Sequence, residues 1–254
     1  HNDARRQRQM CIRDSVRPAA LCQDITIQLD AAGNVSITTA DVDNNSADAC
    51  GIATKTLSQT AFVCAEVGAN PEVLTVTDVN GNISTCATVV NVEDNVTPIA
   101  ICQDATVQLD ASGNGSTTTA DVDNGSNDAC GIATKTLSQT DFVCNEVGGN
   151  TEVLTVTDVN GNVSTCSATI TVEDNVPANA ICQNVTIQLD STGNASTTAN
   201  DINNGSNDAC GVANIALSQT AFTCPEIGSQ TEVLTVTDIN AVSYTHLTLP
   251  TSVI

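Results

Sequence analysis

Hydrophobic and polar positions alternate along much of this chain, and the alternation has the two-residue period of β-strands. In the segment ICQDATVQLD, Val107 and Leu109 alternate with Thr106 and Gln108. In VSTCSATITV, Cys166, Ala168, Ile170 and Val172 fall on one face and Ser167, Thr169 and Thr171 on the other. Side chains on successive strand residues point to opposite sides of a sheet, so each pattern predicts a half-buried strand. TEVLTVTD reads the same way and is joined to the last strand by Asn160-Gly161, a strong hairpin signal. GIATKTLSQTDF predicts a third and a fourth strand, and GNGSTTTADVDNGSNDACG a strand flanked by polar loops. No window holds a helical period, and the Thr and Val enrichment favours strands. About seven short strands in 80 residues predict an antiparallel sandwich.

The pattern then repeats. Cys22, Cys102 and Cys182 are spaced by 80 residues, as are Cys50, Cys130 and Cys210, Cys64, Cys144 and Cys224, and Asp78, Asp158 and Asp238. A period of 80 is too long for a solenoid turn and suits a small domain with its own core. The expected organisation is repeat 1 over 19–98, repeat 2 over 99–178 and a truncated repeat 3 over 179–240. Residues 1–18 and 241–254 leave the register and change composition. Their strings RQRQMCIRD and VSYTHLTLPT resemble translated sequencing-adapter read-through. Both ends are therefore expected to be a non-native or disordered arm and a non-native tail.

Charge narrows the function. The chain holds 29 Asp and Glu against 7 Lys and Arg, and only Lys55 and Lys135 lie within the repeats. Such a surface repels nucleic acid and anionic membranes and attracts cations. No apolar run approaches the roughly 20 residues of a membrane helix. The repeats contain no His, so Ser-His-Asp and Cys-His catalysis have no base, and no Gly-rich loop opens a helix for a nucleotide. The expectation is a non-enzyme.

Each complete repeat has four cysteines without any CxxC, which predicts two structural disulfides in an oxidising, extracellular or cell-surface setting. Four cysteines allow three pairings. With one Phe per repeat and no Trp in the chain, the core is thin and such bonds matter.

The IC near the start of each repeat, the DACG in its middle and the closing VLTVTDVNGNVSTCSATITV resemble a hyalin-repeat (HYR) domain. The tandem Asp-, Asn- and Thr-rich form is similar to repetitive surface proteins of Bacteroidetes-type bacteria. The resemblance implies an all-β chain of tandem immunoglobulin-like antiparallel β-sandwiches in an extracellular adhesion or matrix protein. It also implies that the first strand runs parallel to the last. Cys102 would then lie beside Cys166, with Cys130 and Cys144 as a nested pair. The same assignment pairs Cys22 with Cys86, Cys50 with Cys64 and Cys210 with Cys224, and leaves Cys182 unpaired opposite His246.

In such a sandwich the linker from one repeat arrives at the pole of the next. Glu93 and Asp94 are expected to meet Asp121, Asp123, Asp128, Asp158 and Asn160, and Glu173 and Asp174 to meet Asp201 and Asp238. Converging carboxylate and amide oxygens form the ligand set of Ca²⁺. Asp121-Val122-Asp123-Asn124-Gly125 opens like an EF-hand loop, but its twelfth position is Ile132, which supplies no carboxylate. The expected function is an extracellular stalk, fibre or adhesin segment, stapled by disulfides and stiffened by Ca²⁺. Its partners would be further copies of the repeat, including a homopolymeric filament. The alternative is an array of modules that bind glycan or protein.

Overall fold

The structure is a computed structural model and describes residues 16–240, 242–247 and 251–254. Most of the arm expected over 1–18 therefore lies outside the described residues. The first repeat holds β1 (Ile25–Gln28), β2 (Asn34–Ser36), α1 (Thr39–Val42), β3 (Ile52–Leu57), β4 (Ala61–Val63), β5 (Gly68–Asp78) and β6 (Ile83–Glu93). The second repeats this as β7 (Ala105–Gln108), β8 (Asn114–Ser116), α2 (Thr119–Val122), β9 (Ile132–Leu137), β10 (Asp141–Val143), β11 (Gly148–Asp158) and β12 (Val163–Glu173). The third holds β13 (Thr186–Ile187), β14 (Asn194–Ser196), α3 (Ala199–Ile202), β15 (Val212–Leu217), β16 (Ala221–Thr223), β17 (Gly228–Gln230), β18 (Val233–Asp238), β19 (Ser243–Leu247) and β20 (Thr251–Val253).

The fold is all-β, built as tandem immunoglobulin-like sandwiches. In the first repeat one sheet has the order β1-β6-β5-β3, and β2 pairs antiparallel with β4 in the other. β1 runs parallel to β6 with Ile25 opposite Val90, and β7 runs parallel to β12 with Ala105 opposite Ile170. The alternation read from the sequence sets the faces. Leu74 and Val76 of β5 and Val90 and Val92 of β6 are buried with Leu29, Ile37, Val42 and Phe62. Each repeat seals its core with one fully buried Phe, at 62, 142 and 222.

Three features depart from the sequence reading. The first two repeats each carry six strands rather than seven. Each repeat also has a one-turn helix in the polar loop, too short to show a helical period. Thr38, Thr118 and Thr198 precede it, and Asp41, Asp121 and Asp201 reach back to them, the carboxylate half of a capping box. Finally, the third repeat does not lack its last strand. β19 pairs with β18, and β20 pairs parallel with β13 and antiparallel with β17, so residues of the 241–254 tail occupy that place.

The chain divides into two compact units. One comprises His1–Ala100, Gly125–Lys135 and Thr155–Thr165; the other comprises Ile101–Asn124, Thr136–Leu154 and Cys166–Ile254. The loop pole of the second repeat is thus grouped with the first repeat. Among the described residues no helix is long and apolar enough to cross a membrane.

Candidate functional site

The junction between repeats is built from three short sequence devices. The first is the linker after β6. Asp94 is 6% exposed, and its Oδ1 accepts the Val96 N–H at 3.1 Å, which turns the chain out of the strand. The second is the Asp158–Asn162 hairpin turn. Asp158 Oδ1 accepts the N–H groups of Asn160 and Asn162 at 2.8 Å, and its Oδ2 accepts the Asn162 amide at 2.8 Å. Burial pushes the Asp158 carboxyl up, but the Asn162 amide and these N–H groups outweigh it and hold the group below the usual carboxylate range. The third is the DACG segment, where Asp128 Oδ1 accepts the N–H groups of Cys130 and Gly131 at 2.8 and 3.2 Å.

These devices meet inside the first compact unit. Asn160 Nδ2 donates to Asp94 Oδ2 at 2.6 Å, and Asn162 Nδ2 donates to the Asp94 carbonyl at 3.0 Å. Ligand atoms of Asp94, Asp128 and Cys130 lie within 4.8 Å of one another. The second compact unit repeats the arrangement with Asp174, Asp208 and Cys210, and Asn240 Nδ2 donates to Asp174 Oδ2 at 2.9 Å. The turn there differs in one respect. Val242 stands where Asn82 and Asn162 supply an amide, and Asp238 Oδ2 is buried with no hydrogen-bond partner.

The remaining acids expected at the junction are engaged locally. Glu93 accepts the Gln28 amide at 2.7 Å and Glu173 accepts Gln108 at 2.6 Å, each across its own repeat's parallel strand pair. Asp121 and Asp201 accept the N–H and hydroxyl of Thr118 and Thr198, and these bonds, the hydroxyl's first, hold both carboxyls low. Asp123 ends α2, where its backbone bridges that of Cys102. Of the eleven acids and amides expected as ligands, the structure gathers Asp94, Asp128 and Asn160 at one junction and Asp174 at the other. Asp208 and Asn240, which the sequence reading did not single out, complete the second group; their 80-residue spacing from Asp128 and Asn160 was the available signal.

The cysteines give the junction its covalent part. Cys22 bonds Cys86 and Cys102 bonds Cys166, with Cα–Cα separations of 5.9 and 5.8 Å. The nested pairs expected within each repeat do not form. Cys64 bonds Cys130 of the next repeat, and Cys144 bonds Cys210, at Cα–Cα separations of 5.1 and 5.0 Å. Cys50 is disulfide-bonded too, so the Cys50–Cys64 pairing is excluded, and Cys182 and Cys224 are free. The reason is positional. Cys64 opens the 3-10 turn that follows β4, beside the tight Asp30–Asn34 turn, and Cys130 packs against the first repeat's core. Gly33, at φ +75°, makes room, because a Cβ there would lie 2.4 Å from Cys64 Sγ. Gly113, at φ +77°, clears Cys144 Sγ in the same way.

These bonds decide which side chains of the clusters are donors. The sulfurs of Cys130 and Cys210 are spent in disulfides and offer no thiolate. What fits a hard cation is one carboxylate pair and one side-chain amide per junction. That is a partial shell for Ca²⁺, which takes 6–8 oxygens, and water must supply the rest.

No family model matches the chain, and no curated protein sequence matches it. Solved structures do. It is similar to the protocadherin gamma B7 extracellular cadherin domains 1–4 at 14% identity, covering 93% of this chain and 76% of that one with a TM-score of 0.33. A three-domain titin structure, I67–I69, is 9% identical over 94% of this chain and 100% of that one, with a TM-score of 0.36. Mouse cadherin-23 EC22–24 is 12% identical over 94% and 99%, with a TM-score of 0.34. The sandwich assignment rests on this chain's own strand pairing.

Proposed function

We propose that the chain is a segment of an extracellular structural array, a stalk or fibre, whose repeats are joined by covalent staples. The observation that carries this reading is the pairing of Cys64 with Cys130 and of Cys144 with Cys210, since each bond ties one repeat to its successor. Disulfides of this density belong in an oxidising space. The acids favour a mechanical role over a catalytic one, because nearly all are spent on turns, caps and strand edges. The hyalin-repeat resemblance agrees with this reading and rests on the quoted residues alone. We take the 80-residue period as the building block and further copies of it as the main partner.

Calcium is the second part of the proposal. The facing carboxylates of Asp94 and Asp128, with the Asn160 amide flipped from the orientation in which it donates to Asp94 so that its oxygen faces them, would hold one Ca²⁺ and neutralise two of the repeats' many negative charges. With so few protein ligands the affinity belongs with the weak extracellular class, ~10⁻⁴–10⁻³ M.

The staple's role is tested by ¹⁵N relaxation on the oxidised chain. A stapled junction gives residues 19–98 and the grouped segments 125–135 and 155–165 one rotational correlation time. Shorter, separate times before any reductant is added would refute the proposed function.

A further inference from the structure

Four disulfides joining described residues interleave along the chain: 22–86 overlaps 64–130, which overlaps 102–166, which overlaps 144–210. We propose that they form two parallel covalent ladders, either of which alone limits how far the chain lengthens under tension. This deepens the proposed function, a tether that must carry force.

The first ladder crosses a repeat through Cys22–Cys86 or Cys102–Cys166, leaving only the 16 residues from Cys86 to Cys102 to stretch. The second crosses through Cys64–Cys130 or Cys144–Cys210 and leaves the 14 residues from Cys130 to Cys144. At ~3.5 Å per extended residue, one period reaches about 60 Å on the first ladder and about 55 Å on the second. A period without staples reaches about 280 Å. Because the ladders share no bond, losing every rung of one leaves the other intact. A nested pairing within each repeat would lack this property, since each nested bond would lie inside a loop that a first-ladder bond already closes and would give no second route along the chain.

The redundancy predicts how slack appears when single bonds are cut. Between Cys22 and Cys210 the shortest covalent path through both ladders contains about 36 backbone residues, against 188 with no staples. Cutting any one of the four bonds lengthens that path by no more than about 24 residues, roughly 80 Å. Cutting all four adds about 500 Å.

The test is single-molecule force clamping of the full oxidised chain, with handles attached just before Cys22 and just after Cys210. The tethered protein is first unfolded by force, and dithiothreitol is then admitted. Because the bonds form in the folded protein beforehand, no cysteine variant has to fold. The expected record is a first reduction step of at most about 80 Å and a summed release near 500 Å. A first step beyond about 100 Å would overturn the redundancy, since a pairing nested within each repeat releases about 50 residues, roughly 175 Å, when Cys22–Cys86 or Cys102–Cys166 is cut. So would an oxidised chain that already extends to several hundred Å. A flexible junction in the relaxation experiment, with the short first step intact, would defeat the proposed function and leave the ladders standing.

Discussion

Asn160 donates its side-chain amide to the carboxylate of Asp94, 66 residues earlier, at 2.6 Å. The bond joins the hairpin turn of one repeat to the linker leaving the previous one, and Asp94 is almost fully buried there. Removing the donor leaves a desolvated carboxylate oxygen without its amide. Asn160→Ala is expected to cost about 1–3 kcal/mol of stability, read as a lower urea midpoint at unchanged slope. An unchanged midpoint would mean that water replaces the amide freely.

The third repeat offers the reverse experiment. Asp238 Oδ2 has no partner, and Val242 occupies the position from which Asn82 and Asn162 donate to Asp78 and Asp158. Val242→Asn is expected to restore that bond and raise the stability of the third repeat by roughly 1–2 kcal/mol. Native-state hydrogen exchange over Val233–Asp238 would report it; slower exchange is the expected result.

How much of this was legible in the sequence depends on the length scale of each signal. Strand alternation at Val107–Leu109 and Cys166–Val172, the Asn160-Gly161 turn and the 80-residue period are local or periodic, and they lead directly to the sandwich array. The staples are neither. The separation of Cys64 from Cys130 is 66 residues, nearly the 64 of Cys22 and Cys86, so spacing alone does not separate bonds within a repeat from bonds between repeats. The three pairings of four cysteines within one repeat do not include the bonds that form between repeats. Asp121 was expected as a ligand because it is acidic and lies in a polar loop. The Thr118-to-Asp121 spacing, a capping box, was the cue to its local role. Glu93 and Asp94 are adjacent in sequence but part ways in space: Glu93 ends β6 and accepts Gln28 across its own parallel strand pair, whereas Asp94 turns the chain out of the strand.

The glycines beside the staples carry a further prediction. A Cβ at Gly113 would sit 2.4 Å from Cys144 Sγ and 3.3 Å from the Ala209 Cβ, at a positive φ that other residues rarely adopt. Gly113→Ala is expected to prevent the Cys144–Cys210 bond. Mass spectrometry after maleimide labelling of the denatured, unreduced protein would then find two more labelled thiols than in the parent. The loss of a 66-residue loop constraint should cost about 4 kcal/mol in the chain-entropy model. An unchanged label count would show that the turn adjusts.

Acid should weaken the fold. The carboxyls of Asp78 and Asp158 lie below the usual range: burial raises them, and the Asn82 or Asn162 amide with the turn's N–H groups lowers them further. A carboxylate depressed in the folded state binds its proton more readily once unfolded. Its contribution is therefore complete above the unfolded value of about 4 and is lost as pH falls below it. Urea midpoints measured in 0.5 M salt, which screens the general repulsion, are expected to be flat from pH 7 to 5 and to fall below pH 4. Asp158→Asn should flatten part of that fall; an identical pH profile would remove Asp158 from the account.

Calcium should raise the melting temperature of the oxidised chain relative to chelator. At ten times Kd, linkage gives about 1.4 kcal/mol per site. Asp128→Asn should abolish the share due to its junction. Equal melting curves with and without Ca²⁺ would reduce Asp94 and Asp128 to a hydrogen-bonded contact.

Bonds between neighbouring repeats are what set this chain apart from a string of independent sandwiches, and disulfide mapping reads them without inference. The oxidised chain is digested without reduction by a protease that cleaves at acidic residues, and the linked peptides are sequenced by mass spectrometry. Peptides joining Cys64 to Cys130 and Cys144 to Cys210 are expected, beside those joining Cys22 to Cys86 and Cys102 to Cys166. A peptide joining Cys130 to Cys144 would contradict this pairing, for the staples would then lie within repeats and the second ladder would not exist.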